Sequence, residues 1–459
     1  MSNTTTVQEN IKICMDIDQQ EKLNTNLIQK CIETHQHIVS NRFNVLEKQY
    51  EGKHKILNRV IDDPDKPNNK LVTNFCAYVT DILTGFFMGK PITYDSENKE
   101  YLKILKDILK NNDETYENHT LAHKSSIKGQ AFELVYLDEE GNICFNNLDT
   151  DGVIVIYDNT IKHDMNCAIR YYIVKDILDD KNNITKVEVY TKKYIYYYTL
   201  DDKNKMIFDE QKEHYYDEVP IIEFPNNRFR RSDFEGIISL NDSYNLNYAD
   251  ISNDIEYFSN CYLILENMAG TNKDDIKMIN KNRTILTSEN GKAYFLEKNI
   301  NDTITQNHRN NISEDIHKLA YVPDLSKELP ANLSGSAIKQ KFFPTEQVII
   351  NKERMFNKAI QKRLRLITKI LNKKGHDFNE NEIEINFHRN IPVNLVEFAD
   401  SVSKIVGTVS TKTLLKEMSN YIHIDDIDKE YQEMQKENAS LDLDKIGEEN
   451  GQEHAILDK

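Results

Sequence analysis

The stretch 233–267 constrains the possible folds of this chain more than any other segment. Its large apolar residues recur at the three-and-four spacing of one helical face. They are Phe234, Ile237, Ile238, Tyr244, Tyr248, Ile251, Ile255, Phe258, Tyr262 and Leu265. Neither Gly nor Pro follows Gly236 in this stretch, so the pattern predicts one helix about 50 Å long at roughly 1.5 Å per residue.

The remaining faces of this predicted helix are polar. They carry Asp242, Asp250, Asp254 and Glu256 among many Asn and Ser residues. Periodicity alone favours a solvated helix that packs on its apolar side only. The segments before and after it decide whether that simple interpretation is sufficient.

The composition indicates a large acidic chain without a membrane span. Its 459 residues suggest about three domains. They include 58 Lys and Arg against 75 Asp and Glu, a net charge of −17, which argues against general affinity for phosphate backbones or anionic lipids. No apolar run approaches the ~18 residues that cross a bilayer, and the first twenty residues lack the basic and apolar regions of an export signal. The six cysteines have no paired spacing, which fits a reduced chain without disulfides or zinc.

The segments before the long helix indicate an α+β fold, mainly α. Polar helices are predicted over about 7–60, an amphipathic helix over 71–90, and a helical pair over roughly 98–129. From Ala131 the apolar period changes from helical to alternating, and short strands separated by turn signals continue as far as Pro225. An antiparallel β domain is therefore predicted between two helical parts.

The segments after the long helix predict a small module and further helices. Residues 268–301 combine a short helix with two strands, RTILT and KAYFLE, joined by a hairpin-like turn. A helix over 302–320 and a loop lead to a second long helix, 336–374, which is basic where the first is acidic and is expected to kink near Pro344. A strand in 383–391, helices to about 437 and an acidic tail, expected to be disordered at its end, complete the chain.

Candidate catalytic and metal-binding residues are few. His119 and His123 lie four apart on a predicted helix and could hold one metal ion, but no acidic third ligand stands at a suitable spacing. Asp250 and Asp254 share a helical face, where paired carboxylates bind a divalent cation or are simply solvated. There is no GxSxG, HExxH, CxxC or Gly-rich dinucleotide motif. The sequence predicts no cofactor, no metal and no enzyme; a metal-dependent nucleic-acid enzyme that uses these Asp or His pairs is the alternative.

A small basic cluster, Arg228, Arg230 and Arg231, precedes the acidic helix. Cations at a helix N-terminus oppose the helix dipole, which predicts that carboxylate partners hold them there. The partner is either local, which we favour, or part of another subunit.

The two long helices also raise a question of packing. Neither can bury its apolar side within the short segment that lies between them. Lateral packing against further copies of the chain would cover these sides. A head-to-tail contact of that kind generates a ring when the rotation closes.

Three runs of sequence, in order, resemble one family. They are KPNNKLVTNFCAYVTDILTGFFMGKPITY at 66–94, VPIIEFPNNRFRRSDFEGIISLNDSYNLNYADISNDIEYFSNCYLIL at 219–265, and LSGSAIKQKFFPTE with FNKAIQKRLRLI at 333–346 and 356–367. In these runs the chain resembles the portal proteins of tailed bacteriophages, the head-to-tail connectors, in the branch typical of siphophages of Gram-positive bacteria. The resemblance extends over most of residues 40–420.

This resemblance implies a ring of about twelve copies at one capsid vertex. The implied parts, in chain order, are a wing (1–232), a stem helix (233–267), a clip (268–301), a second stem helix (302–320), a tunnel loop (321–335), a long kinked helix (336–374), a wing return strand (375–391), crown helices (392–437) and a tail (438–459).

The resemblance also implies roles for individual residues. Those of the tunnel loop nearest the DNA would be Pro323, Asp324, Leu325, Ser326, Lys327, Pro330, Asn332, Ser334 and Gly335. The channel face of the stem would carry Asp242, Asp250, Asp254 and Glu256. Subunit packing would involve Ile251, Ile255, Phe258, Arg228, Arg230 and Arg231. Clip contacts with partners would involve Lys281, Arg283, Glu289, Asn290 and Lys292.

The implied function is a conduit through which double-stranded DNA is packaged into the phage head and later ejected. The implied partners are a terminase large subunit as packaging motor, head-completion or tail adaptor proteins, and major capsid and scaffolding proteins, with assembly in the host cytoplasm and no membrane. An acidic channel suits this role, because it repels DNA phosphates and lets a duplex slide without being trapped. Another phage head or tail-adaptor protein with a similar helical plan is the nearest alternative.

Overall fold

The computed structural model describes most of the chain. The described residues are 13–14, 25–64, 66–176, 183–201, 205–259, 263–267, 274, 290–295, 302–326, 335–390, 395–418, 424 and 427–437. No helix among them is long and apolar enough to cross a membrane.

Helices form most of the regular structure, as expected for a mainly α member of the α+β class. They are α1 (Thr25–Ile38), α2 (Asn44–Tyr50), α3 (Phe75–Met88), α4 (Lys99–Asn111), α5 (Glu114–Lys128), α6 (Ile238–Ser259), α7 (Asp302–Leu319), α8 (Gly335–Lys373), α9 (Leu395–Ile405) and α10 (Thr411–Met418). A π-helical turn, Val39–Phe43, joins α1 to α2, and residues 427–437 are also helical.

Most strands lie where the change of apolar period predicts them. They are β1 (Ile13–Cys14), β2 (Thr93–Asp95), β3 (Gln130–Leu137), β4 (Ile143–Leu148), β5 (Val153–Tyr157), β6 (Met165–Val174), β7 (Ile184–Tyr190), β8 (Tyr194–Leu200), β9 (Met206–Glu213), β10 (Ile221–Pro225), β11 (Leu263–Glu266), β12 (Lys292–Phe295) and β13 (Glu384–Asn386). One sheet has the order β1-β5-β6-β7-β8-β9 and a second the order β10-β3-β4. Every pair in them is antiparallel except β1 with β5. β13 adds a short antiparallel pair to β2.

The main hydrophobic core surrounds α3. Asn74 caps this helix, since its side chain accepts a hydrogen bond from the Ala77 N–H at 3.1 Å. Val79 and Phe86 of the apolar stripe predicted for this helix are buried, while Phe75, Tyr78 and Ile82 are half-buried. Aromatic contacts join α3 to α8, among them Phe87 against Phe356 with ring centroids 5.5 Å apart. α3 is therefore the inner element on which the other long helices pack.

The long helix predicted over 233–267 is shorter in the structure than the sequence predicts. α6 follows a 3-10 turn at Glu235–Ile237 and ends at Ser259, a length of about 33 Å rather than about 50 Å at roughly 1.5 Å per residue. The end of the predicted helix is instead β11, which pairs antiparallel with β12. The prediction of one helix over 233–267 is wrong at this end, because a short apolar run fits both helical and strand periods.

The hairpin predicted within the module 268–301 is also wrong, because one of its strands has a different partner. KAYF forms β12, but its partner is β11 and not RTILT, which lies outside the described residues together with most of the predicted short helix. The later helices agree closely with prediction, since α7 and α8 match 302–320 and 336–374 to within one residue at each end. α8 is continuous through Pro344.

A buried arginine joins α8 to the β domain. Arg363 is fully buried and donates two hydrogen bonds to the carboxylate of Glu133 on β3, at 2.8 and 2.5 Å. A third, at 2.8 Å, goes to the side-chain oxygen of Asn118 on α5. The guanidinium also lies over the ring of Phe145, 4.5 Å from its centroid. The adjacent Glu133 carboxylate raises the pKa of Arg363 against the effect of burial, while burial raises the pKa of Glu133.

Replacing Arg363 with Ala should destabilise the fold strongly. The change leaves the Glu133 carboxylate buried without its cation, which typically costs about 3–5 kcal/mol of unfolding free energy. Arg365→Ala is the matched control, because its ion pair with Glu218, at 2.8 Å, is partly exposed and should contribute about 1 kcal/mol or less. Urea unfolding of both variants measures the difference, and equal losses would contradict the central role of Arg363.

Candidate assembly and channel site

α6 buries two asparagines and leaves some of its large apolar residues exposed. Asn241, Asn245 and Ala249 have 0% exposure. In contrast, Ile255 is 60% and Leu246 47% exposed. The sequence assigned Ile255 to packing between subunits, and that assignment stays a prediction, whereas the burial of the asparagines was not predicted.

The buried asparagines hold an extended segment of the same chain, just before α3, against α6. The side-chain oxygen of Asn245 accepts from the Thr73 N–H at 2.7 Å, and that of Asn241 from the Phe75 N–H at 3.0 Å. Asn241 also donates to the Thr73 carbonyl at 3.1 Å. Residues 241 and 245 share a helix face because they lie four apart. They therefore supply the backbone bonds that a neighbouring strand would supply in a sheet.

A buried histidine completes this network. Burial lowers the pKa of His54, which has 0% exposure. The Asn241 amide lies 3.3 Å from its Nδ1, and the Asn74 side-chain oxygen lies 3.3 Å from its Nε2. A neutral ring suits both contacts, since it accepts at one nitrogen and donates at the other. Sequence reasoning assigned no role to these residues; the four-residue spacing of Asn241, Asn245 and Ala249 was the available signal.

Two of the acidic residues predicted for the channel face form ion pairs within the chain. Lys55 lies 2.9 Å from Asp242, and Arg59 lies 2.7 Å from Asp250. Both cations precede the extended segment that the asparagines hold. They neutralise part of the acidic side of α6, so its field is weaker than the sequence suggests.

The other two acidic residues lie nearer the end of α6. Glu256 is exposed and accepts a hydrogen bond at 2.7 Å from the side chain of Asn69. The Asn69 N–H donates to Asn253 at 2.7 Å, which continues the asparagine contacts along the helix. Asp254 is half-buried. The placement of all four acidic residues along a channel stays a prediction.

The α6 residues predicted for subunit packing differ in exposure. Ile255 is largely exposed and Ile251 is half-buried, while the side chain of Phe258 is outside the described part. Tyr248, at 37% exposure, lies seven residues before Ile255 and therefore on the same helix face, whereas Leu246 and Tyr257 lie on the opposite side. An exposed apolar stripe on a long helix is typical of an interaction surface.

The arginine cluster divides into one internal and two surface residues. Arg230 forms a two-pronged ion pair with Glu223 on β10, at 2.5 and 2.9 Å. This confirms the local partner that the sequence favoured, and Arg230 is therefore engaged within the chain. Arg228 and Arg231 are exposed.

The first residues of the predicted tunnel loop are fixed from two sides. Tyr78 on α3 donates to the Pro323 carbonyl at 3.4 Å, and Lys341 on α8 donates to the Asp324 carbonyl at 2.9 Å. The carboxylate of Asp324 accepts from Ser326 at 3.0 and 2.6 Å. Leu325 is 43% exposed. The base of the loop is thus anchored before its exposed part begins.

The remaining predicted loop and clip residues are described only in part. Gly335 is the first residue of α8 and not part of the loop. Asn290 is exposed and its carbonyl accepts from the Asn267 side chain at 3.2 Å, while Lys292 lies opposite Glu266 in the β11–β12 pair. The others lie outside the described residues: Lys281, Arg283, Glu289, Lys327, Pro330, Asn332 and Ser334.

The pairs considered for metal chemistry have other contacts. The rings of His119 and His123 are stacked 6.3 Å apart, and the Nε2 of His123 lies 3.0 Å from the Tyr50 hydroxyl. Asp250 is paired with Arg59. No group of three or more His, Cys, Asp or Glu suited to a metal ion occurs among the residues that the structure describes.

Comparison with known proteins gives consistent matches. The model of the family described as phage portal protein, SPP1 Gp6-like, matches residues 28–442. The chain is 25% identical over 417 residues to the portal protein of Bacillus phage SPP1, covering 84% of this chain and 82% of that protein. It is 26% identical over 420 residues to the portal protein of Clostridium phage phiCD119, covering 85% and 92%. Among solved structures, a chain from the neck of an empty GTA particle matches with a TM-score of 0.46 and 10% identity, over 74% of this chain and 88% of that one.

Replacing Asn241 with Ala should loosen the extended segment from α6. The substitution removes the partners of the Phe75 N–H and the Thr73 carbonyl, and each lost buried bond typically costs about 1–3 kcal/mol. Ser243→Ala, at an exposed position of the same helix, is the control and should change stability by less than about 0.5 kcal/mol. Hydrogen exchange at residues 69–75 measures the effect, and unchanged protection in the Asn241 variant would show that the asparagines do not hold the segment.

Proposed function

The chain belongs to the family of SPP1 Gp6-like phage portal proteins, and from that premise we propose that its copies close into a ring that conducts double-stranded DNA. As a portal protein it is a structural component of the virion. The ring would stand at one vertex of the capsid, with DNA entering during packaging and leaving during ejection. The chain itself would supply the channel and no catalytic step.

One observation carries the ring proposal, namely an exposed apolar stripe on α6. Asn241 and Asn245 form the buried face of the helix, while Tyr248 and Ile255 form an exposed apolar stripe on another face. Removing apolar surface from water contributes roughly 25 cal/mol per Å², so this stripe gains stability when a second copy covers it. Because the asparagines form the buried face of α6, the exposed stripe on its other side is available to a partner.

The geometry of such a contact favours a ring. If the stripe of one copy meets a different surface of the next, the contact is heterologous, and heterologous contacts close into rings when the rotation permits. We propose about twelve copies in this ring. α6 and α7 would form the stem, β11 and β12 the described part of the clip, and the segment that follows α7 the tunnel loop.

The charge of the chain supports a conduit for DNA. A net charge of −17 per copy, repeated around a ring, gives a field that repels phosphates. A basic channel would instead bind the duplex and release counterions at each contact, which would retard movement. Because two α6 carboxylates are paired with Lys55 and Arg59, the repulsion would come from the summed charge more than from these residues.

The partners follow from the same role. Energy for packaging would come from a separate motor, the terminase large subunit, docked on the clip. Head-completion or tail adaptor proteins would take that place later, and capsid and scaffolding proteins would surround the wing, with assembly inside the host cell. Exposed Asn290 and Lys292 are the described clip residues available for such contacts.

Replacing Ile255 with Asp should disperse the ring into smaller species. The new carboxylate would be buried at every lateral contact, at a cost on the order of a few kcal/mol each. Ser243→Asp, which adds the same charge at an exposed polar position of α6, should leave the ring intact. Native mass spectrometry of both variants and the parent protein measures assembly, and an intact ring in the Ile255 variant would remove the stripe from the interface.

Shortening the stretch 325–333 should impair packaging without affecting assembly. The anchors at Pro323 and Asp324 precede the deletion, so the fold around it should be retained. A deletion within 179–182, between β6 and β7, is the control and should package normally. DNA content of assembled particles is the measurement, and normal packaging after the first deletion would show that this loop does not meet the DNA.

A further inference from the structure

The loop 226–231, between β10 and α6, is held rigidly by its own asparagines. Asn227 accepts from the N–H groups of Phe229 and Arg231 at 3.0 and 3.1 Å, and its amide donates to the Arg231 carbonyl at 2.8 Å. The amide of buried Asn226 donates to the same carbonyl at 2.9 Å. The loop therefore has one conformation set by side chains at its base.

The rest of the molecule fixes the centre of this loop. Arg230 has a left-handed backbone, with φ of 54°, and its side chain reaches back to Glu223. Arg42 donates to the Arg230 carbonyl at 2.7 Å. A Cβ at Gly129 would lie 1.9 Å from that carbonyl oxygen, so only glycine permits the approach. Three separate parts of the chain thus hold the loop in place.

The anchored loop presents an aromatic ring between two cations. Phe229 is 69% exposed, and Arg228 and Arg231 are exposed on either side of it. The guanidinium of Arg231 lies 6.0 Å from the centroid of the Phe229 ring. Aromatic and Arg side chains are the commonest anchors of protein interfaces, and a loop rigid before binding loses little entropy when it binds.

We propose that Phe229, with Arg228 and Arg231, docks into an acidic and apolar surface of the adjacent copy in the ring. This inference rests on the proposed ring. Two observations select a second copy as the occupant. The copies are strongly acidic, at −17 each, so an outward pair of arginines meets complementary charge on them. The loop also lies shortly before the 3-10 turn that opens α6, so it adjoins the helix that carries the exposed stripe.

A tryptophan at position 229 provides a direct reporter. The chain contains no Trp, so Phe229→Trp introduces a single tryptophan at the tip of the loop, which can be excited selectively over the 24 tyrosines. On assembly its emission should shift to shorter wavelength, and quenching by acrylamide should fall several-fold, because the neighbouring copy excludes water. Tyr116→Trp is the matched control, since Tyr116 is similarly exposed at 66% but belongs to α5; its quenching should stay the same.

Reversing the charges tests the contribution of the arginines. Arg228→Glu with Arg231→Glu should raise the concentration required for ring assembly by about tenfold or more, because Arg anchors of interfaces carry a large share of the binding energy. Arg228→Lys with Arg231→Lys keeps the charge and should assemble nearly as the parent does. The side chains are exposed, so circular dichroism of all variants should remain that of the folded parent.

The outcomes separate this inference from the ring itself. If the parent protein does not form rings, the proposed function fails first. If rings form but the introduced tryptophan remains as accessible as in the monomer, the loop lies outside the interface and the inference is overturned while the ring stands. Charge-reversed rings that assemble normally but lose binding of DNA or of an adaptor protein would also overturn it, because the loop would then serve another partner.

Discussion

The buried pair of Arg363 and Glu133 is the interaction on which the positions of the long helices depend. Each buried ion loses several kcal/mol of hydration, so the pair is stable only while its hydrogen bonds keep their geometry. The guanidinium bonds both Glu133 and Asn118, and α8 therefore cannot slide or rotate against β3 and α5. Lys352, roughly three turns earlier on the same helix, is paired with Asp233 just before α6. α8 therefore fixes the positions of both the β domain and the start of α6.

From that fixed start, α6 is held by polar contacts along its asparagine face as well as by apolar packing, such as the contact of the Tyr244 ring with Phe75. Asn241 and Asn245 replace the hydrogen bonds of a strand, and the segment before α3 lies along them. Such contacts are directional, so they specify the rotation of the helix about its axis. That rotation turns Tyr248 and Ile255 outward in every copy, which is the condition for a repeating lateral contact. The same helix therefore connects the internal order of one chain with assembly of many.

The sequence predicted the bounds of the long helices better than the contacts that their side chains make. Long stripes at the helical period located α7 and α8 to within one residue, because those stripes are several turns long. The burial of the α6 asparagines was not predicted, because their contacts arise from a segment about 170 positions away in the sequence. From the sequence, Arg363 resembled the other cations of a basic helix. Its position between Ile360 and Ile367 on the apolar stripe was a usable signal of its burial.

The negative charge of the chain affects assembly as well as DNA. Copies that each carry −17 repel one another, and at physiological salt this repulsion is screened only beyond about 8 Å. A lateral contact therefore requires apolar area together with local cations where the copies meet. α6 supplies the apolar area and the loop before it carries the cations, while Lys55 and Arg59 reduce the charge of α6 itself. Acidic subunits can then close into a ring whose summed field still repels the phosphates of a duplex, which is the balance that a conduit for DNA requires.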